Sequence, residues 1–366
     1  MTLTNGVVLG TRPGTNANPG ILYLRGGGKL VSEGSPTQPN ILARYLTVQE
    51  GSPTNAANNG SFVYVDSNAT APEIRCRFTH WPAPSGSGYH LTIYNVHAPF
   101  SFRDGQFAGS TFYLKGTPVG LTNCLWERVS VNLNDDGEAV DRYIYNNLLR
   151  GGTLTLVRNG TGVSQVRDTL FDQTTISQTG TITHDYNGYV TNQNRLSPDG
   201  ANDVILTNSP VYLTNYLGRY YYPTNDGMLS RLIDAGSRSA YDAGLFHSTT
   251  TTNQVMETNS IVDIGYHFIA VTNGVAFDTD ADGIPDYADP DSDGNDGLPD
   301  WWEQKYIGKL TETPSGDYDG DCVTNLLEYL RGTNPADPPV INNAPTYQIV
   351  QIGANVSFSV GASPVV

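Results

Sequence analysis

Ser101-Phe-Arg-Asp104-Gly-Gln-Phe107, Leu121-Thr-Asn123-Cys-Leu125-Trp126, Ile144-Tyr-Asn146-Asn147-Leu148-Leu149 and Val166-Arg-Asp168-Thr-Leu170-Phe171 share one local shape. An Asn or Asp sits among bulky apolar residues in each, and His184-Asp-Tyr-Asn187-Gly-Tyr189 follows the scheme more loosely. Successive units lie roughly 18 to 24 residues apart, which is one coil of a right-handed parallel β-helix. A single coil cannot bury its own face, and stacking on its neighbours does so. Asn and Asp suit a recurring corner because they tolerate left-handed backbone and can bond to the next coil. Asn123, Asn146, Asn147, Asp168 and Asn187 are therefore read as structural. No useful helix periodicity precedes residue 290; short β-rich runs recur instead, broken by Gly, Asn, Asp and Pro. Hairpin turns of the Asn-Gly or Asp-Gly type are not regularly spaced, which weighs against a two-sheet sandwich. Residues 1–60 have the same composition with weaker periodicity and are read as earlier coils or a loop-rich edge.

A different chemistry begins at residue 278. Asp278-Thr-Asp280-Ala-Asp282-Gly283-Ile284-Pro-Asp286-Tyr-Ala-Asp289 places acids at positions 1, 3, 5, 9 and 12 of a twelve-residue loop, with glycine at 6. That is calcium-loop spacing: alternate oxygens face one ion, the glycine turns sharply, and the carbonyl of Ile284 completes the shell. A further loop reads Asp317-Tyr-Asp319-Gly-Asp321-Cys322-Val323-Thr-Asn325-Leu-Leu-Glu328. Its expected ligands are Asp317, Asp319, Asp321, the Val323 carbonyl, Asn325 and a bidentate Glu328. Cys322 stands where glycine is expected, so weaker binding is expected there.

The loop between them has two frames. Asp289-Pro-Asp291-Ser-Asp293-Gly294-Asn-Asp296-Gly-Leu-Pro-Asp300 fits positions 1, 3, 5, 6 and 12 but puts Gly297 at 9. A competing frame takes Asp296, Gly297, Asp300 and Glu303 as 5, 6, 9 and 12, which leaves the poor ligands Ser292 and Gly294 at 1 and 3. One inserted residue accounts for the ambiguity. The last two loops each lead into a predicted short helix, marked by Pro299, Trp301, Trp302, Tyr306 and Ile307 and by Leu326, Leu327, Tyr329 and Leu330. Gly332 and Pro335 stop the second. The two apolar faces are expected to pair.

Residues 278–337 resemble thrombospondin type-3 repeats in their first part and the EF-hand-like calcium pair of dockerins in their second. Leu232-Ile-Asp234-Ala-Gly236-Ser and Ile261-Val-Asp263-Ile-Gly265-Tyr-His267 resemble the closing segments of β-helix domains in large exported bacterial proteins of planctomycete and verrucomicrobial type. The resemblance implies two to three Ca2+ ions that rigidify a spacer or fold a docking module. It says little about activity.

The formal net charge is −16. Thirteen Asp and three Glu against two Lys and one Arg fall within 278–337, so thirteen of those charges lie there. The acidity serves the loops. No basic-aromatic module exists, which excludes nucleic acid as an expected partner. Three widely spaced cysteines form neither a disulfide scaffold nor a zinc site. Calcium loops favour the extracellular space or cell surface over a calcium-poor cytosol. The opening Met1-Thr-Leu-Thr-Asn-Gly reads as no signal peptide, and no apolar run reaches the roughly 18 residues of a membrane span. The chain is accordingly expected to be a piece of a larger exported protein. After Pro338-Pro339, residues 348–360 alternate apolar and polar, as the first strands of an immunoglobulin-like sandwich would.

An enzymatic alternative rests on Asp135, Asp136, Glu138 and Arg142, which could line a groove with Glu127 and Arg128 one strand earlier. Paired carboxylates there would suit a polysaccharide lyase or glycoside hydrolase acting on acidic polysaccharide. The downstream His-Gly and Arg-x-Lys of galacturonan hydrolases are absent, and no arginine is singled out as a lyase base. The six histidines show no ligand-pair spacing, and His267 reads as a strand residue. Trp81, Trp126, Tyr143 and Tyr220-Tyr221-Tyr222 are candidate stacking platforms for sugar rings, with coil filling as the plainer use. The sequence thus predicts a mainly β chain in three parts: a β-helix over 1–272, a calcium-loop and short-helix module over 273–337, and a linker with immunoglobulin-like strands over 338–366. A non-enzymatic surface protein, with polysaccharide or another surface protein as partner, is the leading expectation.

Overall fold

A computed structural model of the chain describes residues 1–11, 22–44, 61–65, 72–82, 88–190, 194–225, 227–338, 340–343, 347–359 and 361–363. The expectations for residues 12–21, 45–60, 66–71, 83–87, 191–193, 226, 339, 344–346, 360 and 364–366 fall outside them. Two compact units form, Met1–Val275 and Ala276–Val366.

The first unit is built from three parallel sheets of eight, nine and seven strands, visited in turn by the chain. One coil shows the scheme: Val119–Thr122 lies in sheet A, Leu125–Glu127 in sheet B and Ser130–Asn134 in sheet C. Each pairs in parallel with the strand one coil on, Arg142–Tyr145, Leu148–Arg150 and Thr153–Val157 respectively. This is the architecture of a parallel β-helix, and residues of the first sixty supply its earliest described strands, from Thr2–Thr4 to Asn40–Arg44.

Inward side chains stack in columns. In sheet B the column runs Trp81, Phe107, Trp126, Leu149, Phe171 and Tyr189. The rings of Phe107 and Trp126 lie 4.1 Å apart and nearly parallel. Burial of each such side chain stabilises the fold by about 1.5–3 kcal/mol.

The corner between sheets A and B follows the sequence reading. Asp104, Asn123, Asn146 and Asp168 all have φ between +51° and +54°, the left-handed region that Asn and Asp enter at least cost. The residues after the last three, Cys124, Asn147 and Thr169, are buried. Asn147 Oδ1 accepts from the Cys124 N–H at 3.1 Å and the Trp126 Nε1–H at 3.0 Å, while its Nδ2 donates to the carbonyls of Leu121 and Tyr145. Asn187 repeats this pattern toward Thr169, Val166 and Asp185. These amides close the hydrogen-bond account of a buried corner that the ladders leave open.

Beyond the last coil the chain folds back over the outside of sheet B. Leu125, Leu148 and Leu170 form an outward apolar column continued by Gly188. It is covered by Tyr220, Tyr221, Tyr222, Leu232, Ile264 and Phe268. The backbone of 264–267 meets successively earlier coils. A Cβ at Gly188 would touch Ile264, the Gly265 N–H donates to the Asp168 carbonyl, and His267 exchanges two hydrogen bonds with the Asn123 amide. Gly265 has φ +124°, and a Cβ there would stand 2.1 Å from the Tyr222 hydroxyl, so the close approach requires glycine. The two signatures 232–237 and 261–267 are thus the clasp of a return strap. Helix α1 (Ala240–Ala243), capped by Ser239, lies between them.

In the second unit, α2 (Asp300–Tyr306) and α3 (Asn325–Arg331) form where expected, and α3 ends at Gly332 with φ +72°. Leu298, Trp302 and Ile307 bury against Tyr306, Leu326 and Tyr329. Trp301, Leu327 and Leu330 remain exposed, so the paired face is narrower than the sequence suggested. The alternation over 348–360 does not become strands. Residues 347–359 form no ladder, Ile349 and Ile352 are fully exposed, and the ladder present joins Val340–Asn343 to Gly361–Ser363. An alternating stretch needs a facing layer to bury its apolar side, and Ile349, Ile352 and Phe358 have none. Among the described residues no helix is long and apolar enough to cross a membrane.

Candidate metal centre

The three acidic loops share one hydrogen-bond frame. In the first, the Gly283 N–H donates to Asp278 Oδ2, the Ile284 N–H to Asp282 Oδ1, and the Thr279 N–H to Asp286 Oδ1. In the third, the Cys322 N–H donates to Asp317 Oδ2, the Val323 N–H to Asp321 Oδ1, and the Tyr318 N–H to Asn325 Oδ1. Position 6 thus binds position 1, position 7 binds position 5, and position 2 binds position 9.

The same three bonds settle the frame of the middle loop. The Gly297 N–H donates to Asp291 Oδ2 at 3.0 Å, the Leu298 N–H to Asp296 Oδ1 at 2.9 Å, and the Ser292 N–H to Asp300 Oδ1 at 2.8 Å. Position 1 is Asp291, neither Asp289 nor Ser292. Asp293 follows at 3, one residue is inserted at Gly294-Asn295, and Asp296, Gly297, Asp300 and Glu303 take 5, 6, 9 and 12. The frame starting at Asp289 is thereby corrected throughout, and the frame ending at Glu303 agrees at positions 5, 6, 9 and 12 but not at 1 and 3. Asp289 belongs to the first loop alone, as its twelfth residue. The inserted Asn295 (φ +50°) reaches back and donates Nδ2 to Asp280 and, at 3.0 Å, to Asp282.

Carboxylates converge in each loop: Asp278, Asp280 and Asp282; Asp291, Asp293 and Asp300; Asp317, Asp319 and Asp321. Within each trio the oxygens lie within 4.8 Å of one another. Buried oxygens without a donor stand among them: Asp289 Oδ2, Asp291 Oδ1, Asp293 Oδ1, both oxygens of Glu303, Asp319 Oδ2 and Glu328 Oε2. A buried carboxylate oxygen lacking a donor is costly unless a cation serves it. Burial, reinforced by the neighbouring aspartates, pushes Glu303 up to about 8, Glu328 up to about 7 and Asp293 up to about 6. The donor set is all oxygen and strongly anionic, which fits a hard divalent ion of the calcium type.

At position 9, Asp286 accepts the N–H and hydroxyl of Thr279, and Asn325 accepts the Tyr318 N–H and donates to the Thr313 carbonyl. These two brace the loops from within. Asp300 braces Ser292 in the same way and also stands with Asp291 and Asp293. The left-handed turn at position 6 is present in all three loops, at Gly283, Gly297 and Cys322, the last with φ +72°.

Of the residues in the enzymatic alternative, Asp135 and Arg142 pair at 3.5 Å inside the coil. Asp135 is buried and accepts from the N–H groups of Gly137, Asn159 and Gly160. Burial pushes its carboxyl up, but those donors and Arg142 outweigh that and hold it below the usual range. Arg142 is equally buried and donates to the carbonyls of Leu133 and Val157. Asp136 pairs with Lys115 at 2.8 Å, and Glu138 is exposed. Of the candidate stacking residues, Trp81, Trp126, Tyr221 and Tyr222 are fully buried, each filling a coil or the strap, Tyr220 is nearly so, and Tyr143 is half-buried.

Two features were not read from the sequence. Leu298 stands at position 7, as Ile284 and Val323 do in their loops, which a one-residue gap in the middle loop would have revealed. In the first unit Glu257, Asp263 and His267 meet in the interior. No spacing rule marks them, since the contact depends on the path of the strap, and His267 lies just before the strand Phe268–Ile269. Comparison with known proteins supplies no relative: no family model, curated protein or solved structure matches the chain.

Proposed function

We propose that residues 278–328 bind two to three calcium ions. We further propose that the protein works outside the cell or at its surface in a non-enzymatic role, as a structural, adhesive or carbohydrate-binding β-helix protein with a calcium-rigidified segment. The common hydrogen-bond frame carries the calcium reading, because it aims buried, donor-less carboxylate oxygens inward in all three loops. Hard oxygen donors in such loops bind calcium with affinities that suit extracellular concentrations. The thrombospondin type-3 and dockerin-like spacing fits the same reading. Lyase or hydrolase chemistry gains no support, since Asp135 and Arg142 are consumed within the coil.

The test is calorimetric titration of the chelated protein with calcium. Two to three equivalents should bind, and the melting transition of the acidic unit should rise with free calcium as ligand linkage requires. No heat up to about ten millimolar calcium, well above the weakest extracellular modules, would remove the metal assignment.

A further inference from the structure

We propose that Glu257, Asp263 and His267 form a second kind of metal site, selective for a zinc-class divalent ion and independent of the calcium loops. All three side chains are at least nine-tenths buried, and one donor atom of each lies within 4.8 Å of the others. The three are already held as metal ligands usually are, by a surrounding set of hydrogen bonds. His267 Nδ1 lies 3.1 Å from the Gly265 carbonyl. A carbonyl only accepts, so Nδ1 carries a proton and Nε2 is the ring atom left to face Glu257. Ser260 Oγ donates to Glu257 Oε2 at 3.0 Å, which leaves Oε1 toward the histidine. Asp263 receives the Asp234 N–H at 2.8 Å on Oδ1 and the Thr250 hydroxyl on Oδ2.

The remaining gap is the informative one. His267 Nε2 has no well-aligned hydrogen-bond partner and stands 3.2 Å from Glu257 Oε1. The positive charge between these two atoms is either a proton on the ring or a metal ion. A proton would draw imidazolium and carboxylate to about 2.7–2.9 Å. Two donors at about 2.0–2.1 Å from a tetrahedral zinc stand about 3.3–3.4 Å apart. Among the described residues neither carboxylate has a lysine or arginine partner. A cavity of about 450 Å³ opens on Glu257 and Asp263 and is walled by Thr249, Thr250, Thr251 and Asn253. It provides an approach and room for a fourth ligand such as water. Imidazole with two carboxylates selects zinc, cobalt or nickel over calcium.

The experiment uses the full chain in calcium-saturated buffer with cobalt(II) as the optical probe. One equivalent of cobalt should bind with the visible bands of a four- or five-coordinate ion, and one equivalent of zinc should bleach them. Excess calcium should leave them unchanged. His267→Gln and Glu257→Gln should abolish the bands. Ser260→Ala, a gentler change, should weaken zinc about tenfold to a hundredfold while retaining the melting transition. Should the first two variants fail to fold, X-ray absorption of the zinc-loaded natural chain decides, and it must show one imidazole among oxygen neighbours. Absence of one-equivalent binding, a zinc shell without imidazole, or unaltered affinity in folded Ser260→Ala and His267→Gln proteins would overturn the proposal. Loss of calcium binding elsewhere leaves these outcomes unaffected.

Discussion

Asp168 and Arg238, seventy residues apart in the chain, meet at 2.6 Å across the A–B corner of the β-helix. The carboxylate is completely buried and also accepts from the N–H and hydroxyl of Ser237, while Arg238 goes on to the Asn146 amide oxygen. Burial pushes Asp168 above the usual carboxylate range despite Arg238 and Ser237. The strap is therefore tied to the coils by a charge pair that is expensive to break.

Asp168→Ala should destabilise the first unit by about 3 kcal/mol, since it strands a largely buried guanidinium. The double variant Asp168→Ala/Arg238→Ala should recover part of that loss. Urea denaturation of the four proteins closes the cycle; a double-variant loss equal to the sum of the two single losses would contradict the coupling.

Glu303→Gln should remove one ion from the calcium stoichiometry, whereas Ser292→Ala should leave the count unchanged. The first expectation follows from two buried, donor-less oxygens on Glu303, the second from Ser292 serving only to hold Asp300. Native mass spectrometry counts the ions directly. Loss of an ion in Ser292→Ala would restore the frame beginning at that residue.

Cys322→Gly should tighten the third loop about fivefold, because relief of a left-handed residue bearing a side chain is worth about 1 kcal/mol. Gly283→Ala should weaken the first loop to a similar degree. Calcium titrations of the two variants, run side by side, measure both.

Asn295→Ala should uncouple the first two loops. The amide joins Asp280 and Asp282 of one loop from the inserted corner of the next, so an ion bound in either steadies the other. Titration of the variant should show lower cooperativity with little change in total heat.

In chelator, the second unit should be most stable near pH 5 and lose stability as pH rises through 7 to 8. Folding raises Glu303 to about 8 and Glu328 to about 7 from an ordinary value of 4.5. The folded state thus holds more protons than the unfolded one over that window, and stability falls as they leave. Calcium should reverse the trend, because it binds the deprotonated form. Thermal melts at pH 5, 6, 7 and 8, with and without calcium, check both signs.

The corners were legible because Asn123, Asn146 and Asp168 must each adopt one backbone region, and few residue types do so cheaply. The strap was not. Leu125, Leu148 and Leu170 look the same in sequence whether they face inward or outward, so adjacent apolar pairs such as Leu148-Leu149 conceal a second buried face. The loops were legible in their acids, while the frame of the middle one depends on where backbone N–H groups point. Glu257, Asp263 and His267 were illegible for a related reason: their meeting is set by the route of the chain, which no local periodicity encodes.

Solenoids commonly change length by gaining or losing whole turns, since each turn touches only its neighbours. The strap removes that freedom here. Asn123, Asn146 and Asp168 each engage a different residue of the returning chain. Deleting or duplicating one turn between them would move every later partner by one rung, about 4.8 Å, and leave buried amides facing the wrong carbonyls. The strap is a ruler as well as a cover. It limits length variation in this stretch of the molecule to the loops that bulge from the coils, leaving the number of coils fixed.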